Sequence, residues 1–206
     1  MKSTSSPNRI TSALSLPNSP GWLGIAIALL VFASAFRVIR VIALPDWPNF
    51  APVMAIAFCG AWFLPGMLAM LLPMLILVVS DIALSAFYGV FHPGFDDLVR
   101  YACYAAAAGM GIALRRGGAG PFGFIGGILA SAIGFYLVTN TAAWLGNAAY
   151  AQTLAGWVQS LTVGLPGYAP TWTFFRNSLV SDLLFAAVFV LAASLSRHPQ
   201  KAPVTA

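Results

Sequence analysis

Charge is what this chain has least of. Only 7% of its 206 residues are charged, five acidic and ten basic, while 60% are hydrophobic and the mean hydropathy is +0.86. A water-soluble domain carries roughly a quarter of its residues as charges. The scarcity therefore excludes an ordinary soluble surface and leaves lipid as the medium. The net charge of +5 gathers into no basic run, so nucleic acid has no footprint here. Cysteine and histidine are scarce too, two of each. Cys59 and Cys103 stand in apolar runs without a histidine at ligand spacing and read as small buried hydrophobes; a disulfide would need two helices to align them. No metal site and no cofactor is expected. Enzyme motifs are missing as well. There is no His-Glu-x-x-His and no Gly-x-Ser-x-Gly, and "GGAGPFGFIGG" (117–127) lacks the Lys-Ser/Thr pair and preceding strand of a phosphate loop. An aspartyl protease could use Asp81 and Asp182, but the Tyr-Asp and Gly-x-Gly-Asp contexts of intramembrane aspartyl proteases are absent. The chain is not expected to be an enzyme.

Long apolar runs are what it has instead. They predict spans at 22–44, 50–64, 67–88, 98–114, 122–145 and 173–195, lengths that exclude a β-barrel. Asn49 is placed to cap the second span, with Pro52 in its first turn, and Pro73 should kink the third. That second span is short for a bilayer. Segment 151–163 puts Leu154, Trp157, Val158 and Leu161 on one helical face, which predicts a short amphipathic helix on the membrane surface between spans five and six. The expectation is an all-α polytopic membrane protein with six transmembrane helices in a compact bundle (21–196) between disordered tails at 1–20 and 197–206. The first apolar run is too long for a signal peptide and reads as an uncleaved span.

Orientation follows from the flanks. With both termini cytoplasmic, that side holds Lys2, Arg9, Arg115, Arg116, Arg197 and Lys201. The costly groups then share one depth near the outer side: Arg37 and Arg40 on span one, Asp81 followed by Ser85 and Tyr88 on span three, Arg100 and Tyr104 on span four, Asn140 and Trp144 on span five, and Arg176 and Asp182 on span six. Ionised groups in lipid cost several kcal/mol and turn toward a bundle interior or a wet cavity. Their shared depth predicts one cavity open outward, where the two Ser-Asp pairs, Ser80-Asp81 and Ser181-Asp182, face arginines. The plainer alternatives stay open. The aspartates can be helix glue or ion-pair partners of Arg37, Arg40 or Arg176; Arg100 can snorkel to the interface; and Tyr88, Trp144, Tyr150 and their aromatic neighbours can form an interfacial belt. Small residues mark close packing at Gly123, Gly127, Ser131 and Gly134, and at Gly24-x-x-x-Ala28, which can pack internally or dock a partner.

The stretches "NFAPVMAIAFCGAWF" (49–63), "LPMLILVVSD" (72–81), "GFYLVTNTAAWL" (134–145) and "FFRNSLVSDLLF" (174–185), with the Tyr150, Thr153 and Gly156 spacing, resemble a family of bacterial membrane proteins with no assigned function. That family is related in fold to the substrate-binding (S) components of energy-coupling-factor (ECF) transporters. The resemblance implies six helices, capture of a vitamin or similar small molecule from the outer side, and docking on a transmembrane coupling protein driven by ATPase subunits. It implies pocket roles for Asn49, Asp81, Asn140 and Asp182, and docking through small residues on the first helix, here Gly24 and Ala28. The expected function is thus a solute-binding subunit of an ATP-driven uptake transporter in the bacterial inner membrane. The alternatives are a structural, partner-binding bundle and, less favoured, an intramembrane enzyme.

Overall fold

The computed structural model describes residues 14–17, 19–89 and 94–197. Among them it contains seven helices and no strand: α1 (Trp22–Ala43), α2 (Val53–Phe63), α3 (Leu68–Tyr88), α4 (Phe95–Arg116), α5 (Pro121–Gly146), α6 (Leu154–Leu161) and α7 (Thr171–Leu195). Four of these, α1, α3, α5 and α7, are long and apolar enough to cross a membrane. Helix α4 is as long but carries charged residues at both ends. Helix α2 has only 11 residues, about 16 Å at 1.5 Å per residue, or half a bilayer core.

The long helices each bury one narrow stripe. On α1 it runs Trp22, Ala26, Leu30, Ala33, Arg37, and on α3 Ala69, Pro73, Leu77, Ser80, Asp81. That three-and-four spacing is the helical period, and the rest of each surface is exposed hydrocarbon such as Phe32, Ile42, Leu75 and Leu191. Helix α2 differs: every residue from Met54 to Phe63 is buried. A helix apolar all round is one enclosed by protein or lipid, and here the enclosure is protein. Helices α1, α3, α4, α5 and α7 form a closed ring, each touching its two neighbours, and all five touch α2. The neighbours of this short helix therefore cover it.

Two glycines make the enclosure possible. A Cβ on Gly111 of α4 would stand 2.7 Å from the Phe58 carbonyl oxygen, and one on Gly127 of α5 would stand 2.6 Å from the Phe58 ring. Gly127 and Ser131, predicted as a packing stripe, are buried, while Gly24 and Ala28 lie exposed on the outside of α1. Pro73 lies inside α3 without ending it, its ring packed where a Cβ on Gly60 would fall. Both cysteines are free.

The two ends of α2 are finished by other elements. Asn49 does not cap it. The N-cap position belongs to Pro52, and Asn49 sits in the preceding loop with a left-handed φ of 56°, a conformation asparagine tolerates better than most. At the other end, Arg115 Nη1 donates to the carbonyls of Trp62 (2.8 Å) and Leu64 (2.5 Å), Trp22 Nε1 to that of Phe63 (3.0 Å), and Trp62 Nε1 to that of Leu14 (2.8 Å). Arg197 Nη2 bonds the Ser15 carbonyl at 2.6 Å, so the two ends of the described chain meet at this closed end. Leu14, inside the stretch expected to be a tail, is buried; residues 1–13, 18 and 198–206 of the expected tails lie outside the described residues.

Helix α6 is shorter than the segment expected. Thr153 caps it, its Oγ1 accepting from Gly156 N at 3.2 Å. Gly156 and Ser160 face inward while Leu154 and Val158 face out. Trp157 Nε1 ties it to Thr141 Oγ1 of α5 at 2.9 Å.

Candidate ligand-binding cavity

The end of the bundle opposite Leu14 and Arg197 is hollow. A cavity of about 670 Å³ opens there between α1, the N-terminus of α2, α3, α4, α5 and α7. Seven of the eleven expected binding residues line it: Arg37, Arg40, Asn49, Asp81, Tyr88, Arg100 and Asp182.

Its charged centre is built by two helical stripes. Arg37 closes the buried stripe of α1 and Ser80-Asp81 that of α3, so packing α1 on α3 brings them together. Arg37 Nη1 donates to Ser80 Oγ at 2.6 Å, and Arg37 Nη2 to Asp81 Oδ1. Ser80 Oγ donates in turn to the Leu77 carbonyl at 2.9 Å. From α4, Arg100 brings Nε to 3.6 Å from Asp81 Oδ2 and pairs through Nη2 with Asp97. Asp97 also accepts from Gly94 N at 2.9 Å at the start of α4. One carboxylate thus sits between two guanidiniums, and the arginine anchored by the second aspartate is half-buried. Arg40, one turn beyond Arg37, bonds the Trp47 carbonyl at 3.3 Å and keeps Nε unpartnered.

Asp182 takes a different role from the one expected. It faces no arginine: among the described residues it makes no ion pair. It is 1% exposed, and its Oδ1 accepts from Ala55 N at 2.9 Å, in the first turn of α2. The N-terminus of that enclosed helix presents N–H groups with no partner along the helix, and a positive dipole end. A carboxylate from α7 satisfies both. The neighbouring Ser181 hydroxyl is fully buried with no partner. The two Ser-Asp pairs are therefore used differently, one against an arginine and one against a helix end.

The remaining expected residues scatter. Asn140 lines a second cavity of about 320 Å³ that shares Asn49 and Arg100 with the first; its Nδ2 bonds the Tyr136 carbonyl at 2.8 Å. Trp144 lines neither cavity and joins α5 to the loop before α6 through the Ala151 carbonyl, 2.8 Å from Nε1. Tyr150 is half-buried in that loop and lines neither cavity. Arg176 is exposed, with its guanidinium 5.2 Å from the Trp172 ring centroid.

Asn177 and Tyr101, absent from the expected set, matter here, as does Tyr104, which was expected at the depth of the cavity. Asn177, next to Arg176, is the buried one: its Nδ2 holds the Pro48 carbonyl at 2.9 Å and fixes the loop at the cavity mouth. Its signal was spacing, since Asn177 precedes Ser181 by four and shares the buried stripe of α7. Tyr104 and Tyr101 both line the cavity, and Tyr104 is wholly buried.

A model of a family of unknown function (DUF6580) matches residues 19–204. That is most of the chain, and the protein belongs to this family. No curated protein and no solved structure matches it.

Proposed function

We propose that this member of DUF6580 is a membrane-embedded binding subunit for a small polar or anionic solute, acting by binding and not by catalysis. The observation that carries the reading is the cavity of about 670 Å³ lined by Arg37, Arg40, Asp81 and Arg100 inside a bundle otherwise clad in hydrocarbon. Ligand sites are typically about 300–1,000 Å³ and mostly apolar, with a few convergent polar groups. Charges in a membrane protein are kept where they line a pathway or a site. In this reading α2 and α4 count with the four long apolar helices as six membrane-inserted helices, α2 without crossing the full thickness. The protein sits in the bacterial inner membrane with both termini cytoplasmic and the cavity facing outward. Within that frame it resembles the S component of an ECF-type uptake system. The chain offers Gly24 and Ala28 on the exposed face of α1 to a transmembrane coupling protein, and ATPase subunits would supply the energy.

The test is native mass spectrometry on protein extracted in mild detergent, comparing wild type with Arg100→Gln. A retained small molecule that Arg100→Gln loses supports the reading. Co-purification of a membrane partner with ATPases supports the transport step. A second reading has its own observation in favour. Asp81 is already flanked by two arginines, Asp182 accepts from backbone, and Asn177 donates to backbone while its Oδ1 accepts from Arg176, as a purely structural bundle would do. That bundle retains no solute, whatever the detergent.

A further inference from the structure

Resting on the binding reading, we infer that the cavity takes a flat ring bearing a cyclic amide edge, an N–H beside a C=O, read by Asp81 Oδ2 and the Tyr104 hydroxyl. Buried polar atoms in proteins almost always find partners, so those that do not call for an explanation. Both of these groups line the cavity, and both are buried without a hydrogen bond. Tyr104 is 0% exposed and Asp81 6%. The other oxygen of Asp81 is committed to Arg37, while Oδ2 has Arg100 Nε at 3.6 Å but no hydrogen bond, and the Tyr101 hydroxyl lies beside the carboxylate. An ionised carboxylate accepts and never donates, so what a ligand sets against Oδ2 must be a donor. The Tyr104 hydroxyl lies within electrostatic reach of Arg37. A hydroxyl beside a cation turns its lone pairs to it and its proton away, so Tyr104 offers a donor and requires an acceptor.

The walls set the shape. The Tyr104 and Phe135 rings stack at 5.8 Å and 16°, Tyr101 stands edge-on to Tyr104 at 5.8 Å, and Tyr101 and Phe135 both line the space. Ala132, Met54 and Ile82 add apolar surface. Flat aromatic walls suit a flat ring. A simple carboxylate would set its oxygens against Asp81 and give it no donor. A simple ammonium would leave Tyr104 unanswered and approach Arg37. An amide edge satisfies both groups without adding charge to the site.

The experiment uses the full-length protein purified in detergent. Calorimetric titration is run with uracil, 1,3-dimethyluracil, benzoate and benzylamine as probes, beside native mass spectrometry of whatever molecule co-purifies. The expected result is binding of uracil, at least tenfold weaker binding of the dimethyl probe, and roughly tenfold weaker uracil binding by Tyr104→Phe, the loss typical of one hydrogen bond. The methylated probe asks the question without altering the protein. Equal binding of the two pyrimidines, an unchanged Tyr104→Phe, or binding of benzoate or benzylamine in place of uracil overturns the inference and leaves the solute-binding reading standing. A co-purified molecule with no cyclic amide does the same. If no probe binds and no molecule co-purifies, the solute-binding reading itself fails.

Discussion

The two ends of the bundle spend their polar groups in opposite ways. At the closed end the side-chain donors of Trp22, Trp62, Arg115 and Arg197 all go to backbone carbonyls, and the chain that begins at Leu14 is drawn over the end of α2. At the cavity end, side chains address one another: Arg37 to Ser80 and Asp81, Arg100 to Asp97 and Asp81. Atoms are left over on Arg40, Asp81, Arg100 and Tyr104, against the Ser19 hydroxyl at the closed end. A side chain bonded to backbone completes the fold and has nothing more to offer. A side chain bonded to another side chain can be re-partnered, and an unpartnered one costs stability unless something else binds it. The closed end is built to hold α2 in place, and the cavity end keeps a reserve.

The hardest blow to this contrast falls on Arg37. Removing one partner of a buried ion pair costs about 3–5 kcal/mol, whereas replacing the whole pair by apolar groups costs far less. Arg37→Met should therefore sharply lower the unfolding temperature in detergent, and Arg37→Met combined with Asp81→Leu should recover most of it while abolishing solute binding. If the double variant is no better than the single one, the pair is not the unit described.

Arg115→Ala comes next and attacks the other end. It removes two bonds to the C-terminal carbonyls of α2, and with Arg115 only partly buried the cost should be about 1–2 kcal/mol. Solute affinity should not change, because the cavity lies at the far end. A fall in affinity as large as that of Arg100→Gln would show that the two ends are not independent.

Asp182 sharpens the comparison because it stands at the cavity end and behaves like a closed-end residue. Asp182→Ala uncaps the buried start of α2 and should cost about 1 kcal/mol, the usual value of a helix cap. Asp182→Asn keeps an acceptor oxygen for Ala55 N and should lose less than half of that. Denaturation curves of the two variants in one detergent decide it. Equal losses would mean that the negative charge, not the hydrogen bond, is what α2 requires.

Asp182 also shows what the sequence could and could not convey. Apolar runs and their flanks place all seven helices within a few residues, because lipid selects strongly for length and hydrophobicity. The meeting of Arg37 with Asp81 was legible as a shared depth, since ionised groups are too costly to be scattered. The enclosure of α2 was not. A helix facing lipid and a helix facing five other helices are both apolar all round, and only its short length, between Pro52 and Pro65, hints at the difference. Asp182 and Ala55 are 127 positions apart, and Asn177 and Pro48 129 apart; no local pattern announces such pairs. Charge also misled. Arg176 drew attention over Asn177, but one position on a helix is a turn of about 100°, enough to send the arginine outward and leave the asparagine in the buried stripe.

The smallest expected change in stability belongs to Tyr104→Phe, and it bears most directly on the idea of a reserve. At the closed end, deleting a polar group removes a bond, so stability falls. The Tyr104 hydroxyl makes no hydrogen bond by geometry and has only the attraction of Arg37 to lose. Its removal relieves a buried oxygen of an unmet requirement and leaves the ring stacked on Phe135, so the empty protein should be unchanged or more stable by up to about 1 kcal/mol. Solute binding should weaken in the same variant. A gain or no change in unfolding temperature together with a loss of affinity is the signature of a group kept for a ligand. A group serving the fold would lower both. A Tyr104→Phe variant that unfolds earlier than wild type would place Tyr104 with Arg115 and Trp62, among the residues that hold α2 in its ring.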